Sequence, residues 1–559
     1  MRPFRRYRER EIAPDEIFLD ASNIPAFDRE RMEGRLEEPL SARAFWGLGG
    51  LVTVMLLILA GQSMHLQVMK GKAYAAQSER NTLSPEVIFA PRGAITDRRG
   101  EPLVSNEATE EGFTRRVYAS PGFAHLLGYV SYPKKDSSGN YYETEIQGMA
   151  GVESAHDAEL AGKNGRLLVE EDALGEVISQ GMTEPAIPGE TLTLSIDKRV
   201  QSAFYRAIAD LAGRTPFEGG SGVLMDATTG EIHALVSYPE YDPNVLSKGE
   251  PADVIAGYAT DARRPYVDRA VSGLYTPGSI VKPMVAAGAI TDGIISEYKT
   301  IYSDGALEYP NPYDPEHPTI FKDWKAHGAL DMRGAIAHSG DVYFYTVGGG
   351  FAGQKGLGIE RLKHWFHTFG FDTATKVDLG AEASGFIPDP EWKQETFGEA
   401  WNIGNTFHTA IGQYSMQITP LEAARAVAAI ANGGKLLRPT VVAGQSPIGE
   451  SMNISAEGLK IAREGMRLGV TEGTSIGLND LSYVRAAGKT GTAQLGANNE
   501  YYNMWAVGFW PYDNPKYVYV VVMERGPAGT ATGGIYVMHQ ILRELRETAP
   551  EYFGIEESQ

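Results

Sequence analysis

A serine and a lysine stand three residues apart where an apolar helical segment begins, in the sequence Tyr275-Thr-Pro-Gly-Ser-Ile-Val-Lys-Pro283. At this spacing Ser279 and Lys282 share one face of a helix. A serine hydroxyl becomes a nucleophile when a neighbouring base removes its proton, and a lysine serves as that base when burial or a nearby cation lowers its pKa. The same Ser-x-x-Lys spacing recurs at Ser131, Ser195 and Ser296. Taken alone, each of these pairs is therefore most typical of a solvated surface pair.

A second motif, Lys489-Thr490-Gly491-Thr492, lies within a predicted strand. Lys489 supplies a cation, and the two threonines supply hydroxyl donors suited to a carboxylate. Gly491 lacks a side chain, which allows a ligand to approach the strand backbone closely. A glycine bulge in an ordinary strand is the alternative interpretation.

A third motif, Ser339-Gly340-Asp341, lies between two predicted helices. Its hydroxyl and carboxylate are suited to relaying protons, although the same three residues also form a common turn.

The order and spacing of the three motifs are far more specific than any one of them. They follow one another at intervals of 60 residues (Ser279 to Ser339) and 150 residues (Ser339 to Lys489), on a helix, a loop and a strand. The ordered set resembles that of the penicillin-binding proteins and β-lactamases, in which Asn is usual at the position of Asp341. A predicted membrane anchor favours the penicillin-binding transpeptidases.

The resemblance implies a serine acyl-enzyme mechanism. Ser279 would be acylated by the D-Ala-D-Ala end of a peptidoglycan stem peptide, and Lys282 would be its general base. Ser339 and Asp341 would help to move the proton to the leaving D-alanine. β-Lactam antibiotics would acylate the same serine.

The resemblance also implies how the substrate is held. Lys489, Thr490 and Thr492 would bind the terminal carboxylate, with Gly491 between them. The backbone N–H groups of Ser279 and Thr492 would form the oxyanion hole.

Segments before residue 190 extend the resemblance to the class B enzymes. Arg92-Gly-Ala-Ile-Thr-Asp-Arg-Arg-Gly100, His125–Val130 and Gly151–Glu153 are similar to the segments of the class B pedestal. This family usually inserts a head domain after the first segment, but here only Glu101–Leu126 occupy that position. The head is therefore expected to be reduced.

The segment Phe321-Lys-Asp-Trp-Lys325, together with the Asp341 variant, is similar to the elongation type of this family. Some relatives carry a zinc cluster near this segment, and the residues of this chain that resemble it are His317, Asp323, His327 and His338. Such histidines are most often loop or core residues, so we expect neither a metal nor a cofactor.

One apolar segment predicts on which side of the membrane the catalytic segments lie. Ala44–Leu66 carries no Asp, Glu, Lys or Arg among 23 positions, a helix of about 34 Å against a hydrocarbon core of about 30 Å. A cleaved signal peptide is the alternative, but 43 residues precede the segment and no A-x-A site follows it. Nine arginines precede it, which predicts a single-pass anchor in the plasma (inner) membrane with a cytoplasmic N-terminus and an extracytoplasmic catalytic domain.

Composition agrees with a large folded protein. Of 559 residues, 43% are hydrophobic and 22% charged, which is typical of globular domains. The net charge of −20 argues against a nucleic-acid partner. The chain has no cysteine, which excludes disulfides and thiolate metal sites.

Hydrophobic spacing predicts an α/β domain around a five-stranded antiparallel sheet flanked by helices. The resemblance implies that this is the transpeptidase domain and that an α+β pedestal precedes it. The predicted strands are Gly222–Asp226, Glu231–Ser237, Val484–Leu495, Asn503–Trp510 and Tyr517–Glu524. The predicted segments are a cytoplasmic tail (1–43), the anchor (44–66), the pedestal (67–190), the transpeptidase domain (191–547) and a C-terminal tail (548–559).

The sequence therefore predicts a peptidoglycan D,D-transpeptidase of cell-wall elongation. Two alternatives remain: a scaffold with little activity that activates a membrane glycosyltransferase, and a penicillin-sensing receptor. The expected partners are peptidoglycan stem peptides, β-lactams and a glycosyltransferase of the shape, elongation, division and sporulation family.

Overall fold

A computed structural model describes residues 42–72, 75, 83–118, 121–171, 177–311 and 314–555. The described chain forms two compact units. The first comprises the described residues up to Pro85 together with Leu168–Gly181, and the second comprises Glu86–Leu167 and the chain from Met182 onward. The predicted cytoplasmic tail and the last four residues of the predicted C-terminal tail lie outside the described residues, except for Ala42 and Arg43.

The first unit contains helix α1 (Ala42–Met64), which continues as a π-helical turn over His65–Met69. Within the described residues, Phe45–Met69 is the one helical segment long and apolar enough to cross a membrane. Its large apolar side chains are exposed along the helix, as expected of a helix that lies in a lipid bilayer.

The pedestal and its flanks contain short elements. The strands are β1 (Leu83–Ile88), β2 (Ile95–Thr96), β3 (Pro102–Ala108), β4 (Thr114–Tyr118), β5 (Val130–Ser131), β6 (Lys134–Lys135), β7 (Tyr141–Glu143), β8 (Gln147–Gly148), β9 (Gly165–Glu171), β10 (Val177–Glu184) and β11 (Leu192–Thr193). The helices are α2 (Ala124–Leu127), α3 (Gly151–Ala155) and α4 (Asp157–Leu160). Strands β11, β2, β3 and β4 form one sheet in that order, with β11 parallel to β2 and the other pairs antiparallel.

A buried ion cluster joins the pedestal segments that carry the family resemblance. Arg92 Nε lies 2.6 Å from Glu153 Oε2, and Arg116 NH2 lies 2.7 Å from Glu153 Oε1. All three side chains are fully buried. Because a buried charge is costly unless it is paired, Glu153 locks α3 to the chain around β2 and β4. The β3–β4 hairpin occupies the position of the head, which was expected to be reduced.

The remaining elements form the catalytic body. Its strands are β12 (Gly219–Asp226), β13 (Ile232–Tyr238), β14 (Ile301–Ser303), β15 (Ala306–Tyr309), β16 (Thr319–Lys322), β17 (Gly328–Leu330), β18 (Lys435–Leu437), β19 (Gly449–Ser451), β20 (Ala487–Leu495), β21 (Tyr501–Trp510) and β22 (Tyr517–Pro527). Its helices are α5 (Lys198–Arg214), α6 (Pro243–Lys248), α7 (Ala252–Thr260), α8 (Lys282–Thr291), α9 (Met332–His338), α10 (Asp341–Gly349), α11 (Gly358–Thr368), α12 (Pro390–Phe397), α13 (Ile403–Ala410), α14 (Pro420–Ala431), α15 (Ala456–Thr471) and α16 (Gly534–Thr548).

The predicted five-stranded antiparallel sheet is confirmed, in the order β13-β12-β22-β21-β20. Helices α5 and α16 pack on one face, where Phe204 and Leu542 share a core with Val521. The helical half of the body packs on the other face, where Leu421 of α14 joins the core that contains Val520. Because both faces are covered, β22 is a nearly continuous apolar run and not an alternating one.

Each of the five predicted strands differs from the structure by one to three residues at one or both ends. Strand β20 begins at Ala487 and not at Val484, because the Val484 N–H donates to the Leu481 carbonyl at 3.0 Å and closes a turn there.

Candidate active site

Ser279 lies on a 3₁₀ turn, Gly278–Val281, that leads directly into α8. Gly278 has a φ of 56°, a conformation that glycine adopts without strain. Its N–H donates to the Gly412 carbonyl at 2.9 Å, and a Cβ there would lie 3.0 Å from the Thr492 carbonyl oxygen. The turn therefore holds Ser279 against β20, with the serine half-buried.

Lys282 joins the first motif to the third. Its fully buried Nζ donates to the Ser339 carbonyl at 2.7 Å, to Ser339 Oγ at 3.2 Å and to Asp341 Oδ1 at 2.5 Å. The Phe344 ring lies 5.6 Å from the same nitrogen and provides an apolar wall. Lys282 and Asp341, 59 residues apart in the chain, thus form a charge-assisted hydrogen bond one helical turn from Ser279.

The loop between α9 and α10 turns the third motif toward Lys282. Ser339 ends α9 in the left-handed conformation, with a φ of 61°, and Asp341 is the first residue of α10. Two helices thus meet at a tight corner with both polar groups of the motif facing one lysine. The position predicted between two helices is confirmed.

Lys489 is a second buried lysine at this site, on the edge strand β20. Its Nζ donates to the Thr490 carbonyl at 2.8 Å. Burial, and after it the charge of Lys282, lower the pKa of Lys489 well below its usual range, while the carboxylate of Asp341 acts in the opposite direction. An incoming anion beside Lys489 would therefore favour its charged form.

The two threonines of the second motif differ in exposure. Thr490 is half-buried and its Oγ1 donates to Thr474 Oγ1 at 2.7 Å. Thr492 is exposed, and its carbonyl accepts from Gln413 Nε2 at 3.5 Å. In a strand the N–H and C=O of one residue point to the same side, so the Thr492 N–H faces the catalytic turn as its carbonyl does.

Gly491 has a structural role that the sequence did not predict. A Cβ at this position would lie 2.7 Å from the Pro277 carbonyl oxygen and 2.8 Å from Ile280 Cγ2. The missing side chain therefore makes room for the catalytic turn that carries Ser279, where the sequence suggested room for a ligand.

An open cleft of about 780 Å³ runs along β20 beside the motif threonines. It extends to the start of α16, and its lining includes Thr474, Thr490, Thr492, Trp505, Ile535 and His539. An extended peptide fits a cleft of this size.

The four zinc candidates do not converge. His317 is exposed, with Nδ1 at 2.9 Å from Asp314. His327 Nε2 lies 3.3 Å from Asp323 Oδ1, and the His327 and His338 rings are 6.5 Å apart. Burial lowers the pKa of His327. In the part of the chain that the structure describes, no three His, Cys, Asp or Glu side chains are grouped as a metal site requires.

Two polar residues at the site were missed by sequence reasoning. Gln413 contacts the backbone of β20, and Thr474 contacts Thr490. Gly412 has a φ of 75°, so a turn glycine marks the first of them. No local pattern marks Thr474.

Comparisons with known proteins agree with this geometry. Residues 220–546 match the family described as penicillin binding protein transpeptidase domain, and residues 109–194 match the penicillin-binding protein dimerisation domain. The peptidoglycan D,D-transpeptidase MrdA of Acinetobacter baumannii is 30% identical over 87% of this chain and 85% of its own length. Pseudomonas aeruginosa PBP2 in complex with WCK 5153 is 30% identical, with a TM-score of 0.69 over 82% of this chain and 96% of that chain. A structure described as a peptidoglycan synthase complex that coordinates polymerization and crosslinking is 26% identical, with a TM-score of 0.70 over 93% of this chain and 100% of that chain.

Proposed function

Because the chain belongs to the class B penicillin-binding proteins of the elongation type and is a serine-type peptidoglycan D,D-transpeptidase, we propose that Ser279 is its nucleophile. The observation that carries this assignment is the position of Lys282, whose Nζ meets both polar residues of the Ser339–Asp341 motif one turn from Ser279. None of the other Ser-x-x-Lys serines has these surroundings. Ser195, for example, is buried and donates to the Ile232 carbonyl at 2.7 Å.

Acylation follows from this arrangement. Ser279 Oγ attacks the carbonyl carbon of the penultimate D-alanine, and the bond to the terminal D-alanine breaks. Lys282 acts as the base in its neutral form, and Asp341 Oδ1, 2.5 Å from Lys282 Nζ, is placed to hold the proton that the lysine gives up. The neutral amine then takes the Ser279 proton, and Ser339 Oγ relays a proton to the leaving amine.

Lys489, Thr490 and Thr492 bind the terminal carboxylate of the donor stem. A carboxylate beside Lys489 offsets the repulsion from Lys282 and favours the charged form of Lys489. The N–H groups of Ser279 and Thr492 stabilise the tetrahedral oxyanion, an effect worth roughly 3 kcal/mol per donor in comparable sites. An acceptor amine from a neighbouring stem then attacks the acyl-enzyme, which forms the cross-link and frees Ser279.

Labelling with a fluorescent penicillin tests the nucleophile directly. The wild type should form one covalent adduct, and mass spectrometry should locate it on Ser279. Ser279→Ala should form none. Ser296→Ala, in an exposed Ser-x-x-Lys motif, is the matched control and should label like the wild type. An adduct on another serine, or a labelled Ser279→Ala protein, would contradict the assignment.

We also propose that the N-terminal tail is cytoplasmic and that the chain after Leu66 is extracytoplasmic. The arginines before the apolar helix support this orientation. Protease added to intact spheroplasts should digest the catalytic domain and spare an epitope placed before Ala44. Loss of the epitope with survival of the domain would indicate the reverse topology.

The predicted domain bounds, a pedestal over residues 67–190 and a transpeptidase domain over 191–547, contain most of the two family matches. We propose that the anchor and the pedestal contact a glycosyltransferase of the shape, elongation, division and sporulation family. The exposed apolar side chains of α1 and the structural likeness to a synthase complex support this partner. Replacing Ala44–Leu66 by an unrelated membrane helix should weaken co-purification. Unchanged co-purification after both this swap and deletion of 67–189 would assign the contact to the catalytic domain.

A further inference from the structure

Helix α10, which carries Asp341, begins without a capping side chain of its own. Its N-cap residue is Gly340, which has no side chain to accept a hydrogen bond. The first N–H groups of a helix have no partner within the helix and are usually satisfied by a side-chain acceptor at the N-cap. Another part of the chain must therefore supply that acceptor.

Asp323 supplies it from a distance of 18 residues along the chain. Its Oδ1 accepts from the Asp341 N–H at 3.1 Å, and its Oδ2 accepts from the Val342 N–H at 3.0 Å. The residue is only 9% exposed, so little water competes for these N–H groups. The negative charge also lies at the positive end of the helix dipole, where it is favourable.

The carboxylate of Asp323 is itself held on both sides. Ser303 Oγ donates to Oδ2 at 3.2 Å, and the Trp324 N–H donates to Oδ1 at 2.9 Å. The backbone N–H of Asp323 donates to the Gly305 carbonyl at 2.9 Å. Both oxygens are therefore engaged by N–H and O–H donors, and the strands β14 and β16 that flank this segment fix its position.

From this geometry, and resting on the function proposed for Lys282, we infer that Asp323 is a positioning residue for the Lys282–Asp341 pair. It fixes the backbone of Asp341, and the fixed backbone places Asp341 Oδ1 at 2.5 Å from Lys282 Nζ. Proton transfer depends steeply on this placement, because a shift of about 1 Å in catalytic geometry can cost on the order of 100-fold in rate.

Asp331 provides a matched control within the same region. It is the N-cap of α9, the helix that precedes the motif, and its Oδ1 accepts from the Gly334 N–H at 2.8 Å. Each aspartate accepts hydrogen bonds from backbone N–H groups at the start of a helix, Asp331 for α9 and Asp323 for α10. Only Asp323 binds the backbone of a residue in the proposed proton pathway.

The experiment uses the full-length protein in detergent and a fluorescent penicillin, with the acylation rate constant separated from the dissociation constant of the initial complex. Asp323→Ala should lower the acylation rate constant about 10- to 100-fold and change the dissociation constant less than about twofold. Asp323→Asn keeps one acceptor oxygen and should lower the acylation rate constant only several-fold. Asp331→Ala should lower the melting temperature to a similar degree and keep the acylation rate constant within about twofold of the wild type.

Equal rate losses in Asp323→Ala and Asp331→Ala would show a general stability effect and overturn the inference, as would an unchanged rate in Asp323→Ala. If Asp323→Ala does not fold, the acylation rate constant of Asp323→Asn tests the positioning role. A several-fold lower rate constant at an unchanged melting temperature supports positioning, and a wild-type rate contradicts it. Labelling that survives Ser279→Ala would instead overturn the proposed nucleophile, so the two failures are distinguishable.

Discussion

At the scale of single residues, two buried lysines share one carboxylate. Lys282 is paired with Asp341, whereas burial first, and then the charge of Lys282, lower the pKa of Lys489. Removing either cation should therefore affect different steps. In the proposed mechanism, loss of Lys282 removes the base and loss of Lys489 removes the anion site.

Lys282→Met should keep the buried stem and remove the base. General-base catalysis contributes about 100- to 10,000-fold, so we expect the penicillin acylation rate to fall by that range in stopped-flow measurements. Lys393→Met is a matched control, because Lys393 is also buried but donates to Ala400 and Asn405. A Lys282→Met rate within a few-fold of the wild type would mean that the lysine only packs its stem.

At the scale of elements, the distance between the catalytic turn and β20 depends on a glycine. The Cα of Gly491 faces the turn so closely that no Cβ fits between the strand and Pro277. Strand register places Gly491 opposite Trp505 of β21, whose indole N–H donates to the Thr276 carbonyl at 3.0 Å. The turn is thus held by two strands at once and cannot shift alone.

Gly491→Ala should therefore separate β20 from the turn and weaken both stability and catalysis. Overpacking of this kind costs about 1–3 kcal/mol in the free energy of unfolding, measurable by urea denaturation together with the acylation rate. Gly181→Ala in β10 is the matched strand control, because a Cβ there meets nothing within 4 Å. If both variants acylate at the wild-type rate, the packing of the turn on Gly491 does not set the active-site geometry.

At the scale of the whole molecule, a polar chain that begins at the exposed Arg98 joins the pedestal signature to the catalytic sheet. Arg98 donates to His233 Nε2, and His233 Nδ1 then donates to the Tyr552 hydroxyl at 3.1 Å. The Tyr552 hydroxyl donates to Asp197 Oδ2 at 3.3 Å. His233 is buried on β13, and it fits this chain only as a neutral imidazole, because a proton on Nε2 would face the guanidinium of Arg98.

Stability should consequently fall as the pH falls. Burial first, and then the charges of Arg98 and Lys516, lower the pKa of His233 well below 6.5. Between that lowered value and about 6.5 the unfolded state binds a proton that the folded state does not, so folding loses up to about 1.4 kcal/mol per pH unit. Denaturant titrations from pH 7.5 to 5.5 should show a shallower loss in His233→Gln than in the wild type.

Other groups titrate in the same range, so the difference between the two profiles is the measurement. The pKa of His125 and of His408 is also lowered by burial, which acts in the same direction. Burial raises the pKa of Glu240 and of Glu422 to about 7. Protonation of these two carboxyls therefore stabilises the folded protein as the pH falls. All four remain in the variant. If the free energy of unfolding falls equally with pH in the wild type and in His233→Gln, then His233 accepts a proton in the folded state and the polar chain does not keep it neutral.

The sequence alone determined the family, the enzymatic activity, the apolar helix and the antiparallel sheet, and these predictions are confirmed. They could be predicted because they depend on local features: ordered motifs around Ser279, Ser339 and Lys489, an uncharged segment, and short links between apolar strands. The catalytic roles of the motif residues stay predictions. The structure adds the distances at which their side chains meet.

Only the tertiary structure decided which residues support the site. Asp323 looked like a metal candidate from the sequence, and Gly491 looked like an opening for a ligand. The first instead caps α10, and the second makes room for the catalytic turn. These assignments depend on contacts between segments far apart in the chain, and no local pattern encodes such contacts. Packing brings the segments together, and a carboxylate then binds whichever N–H groups the fold leaves without a partner.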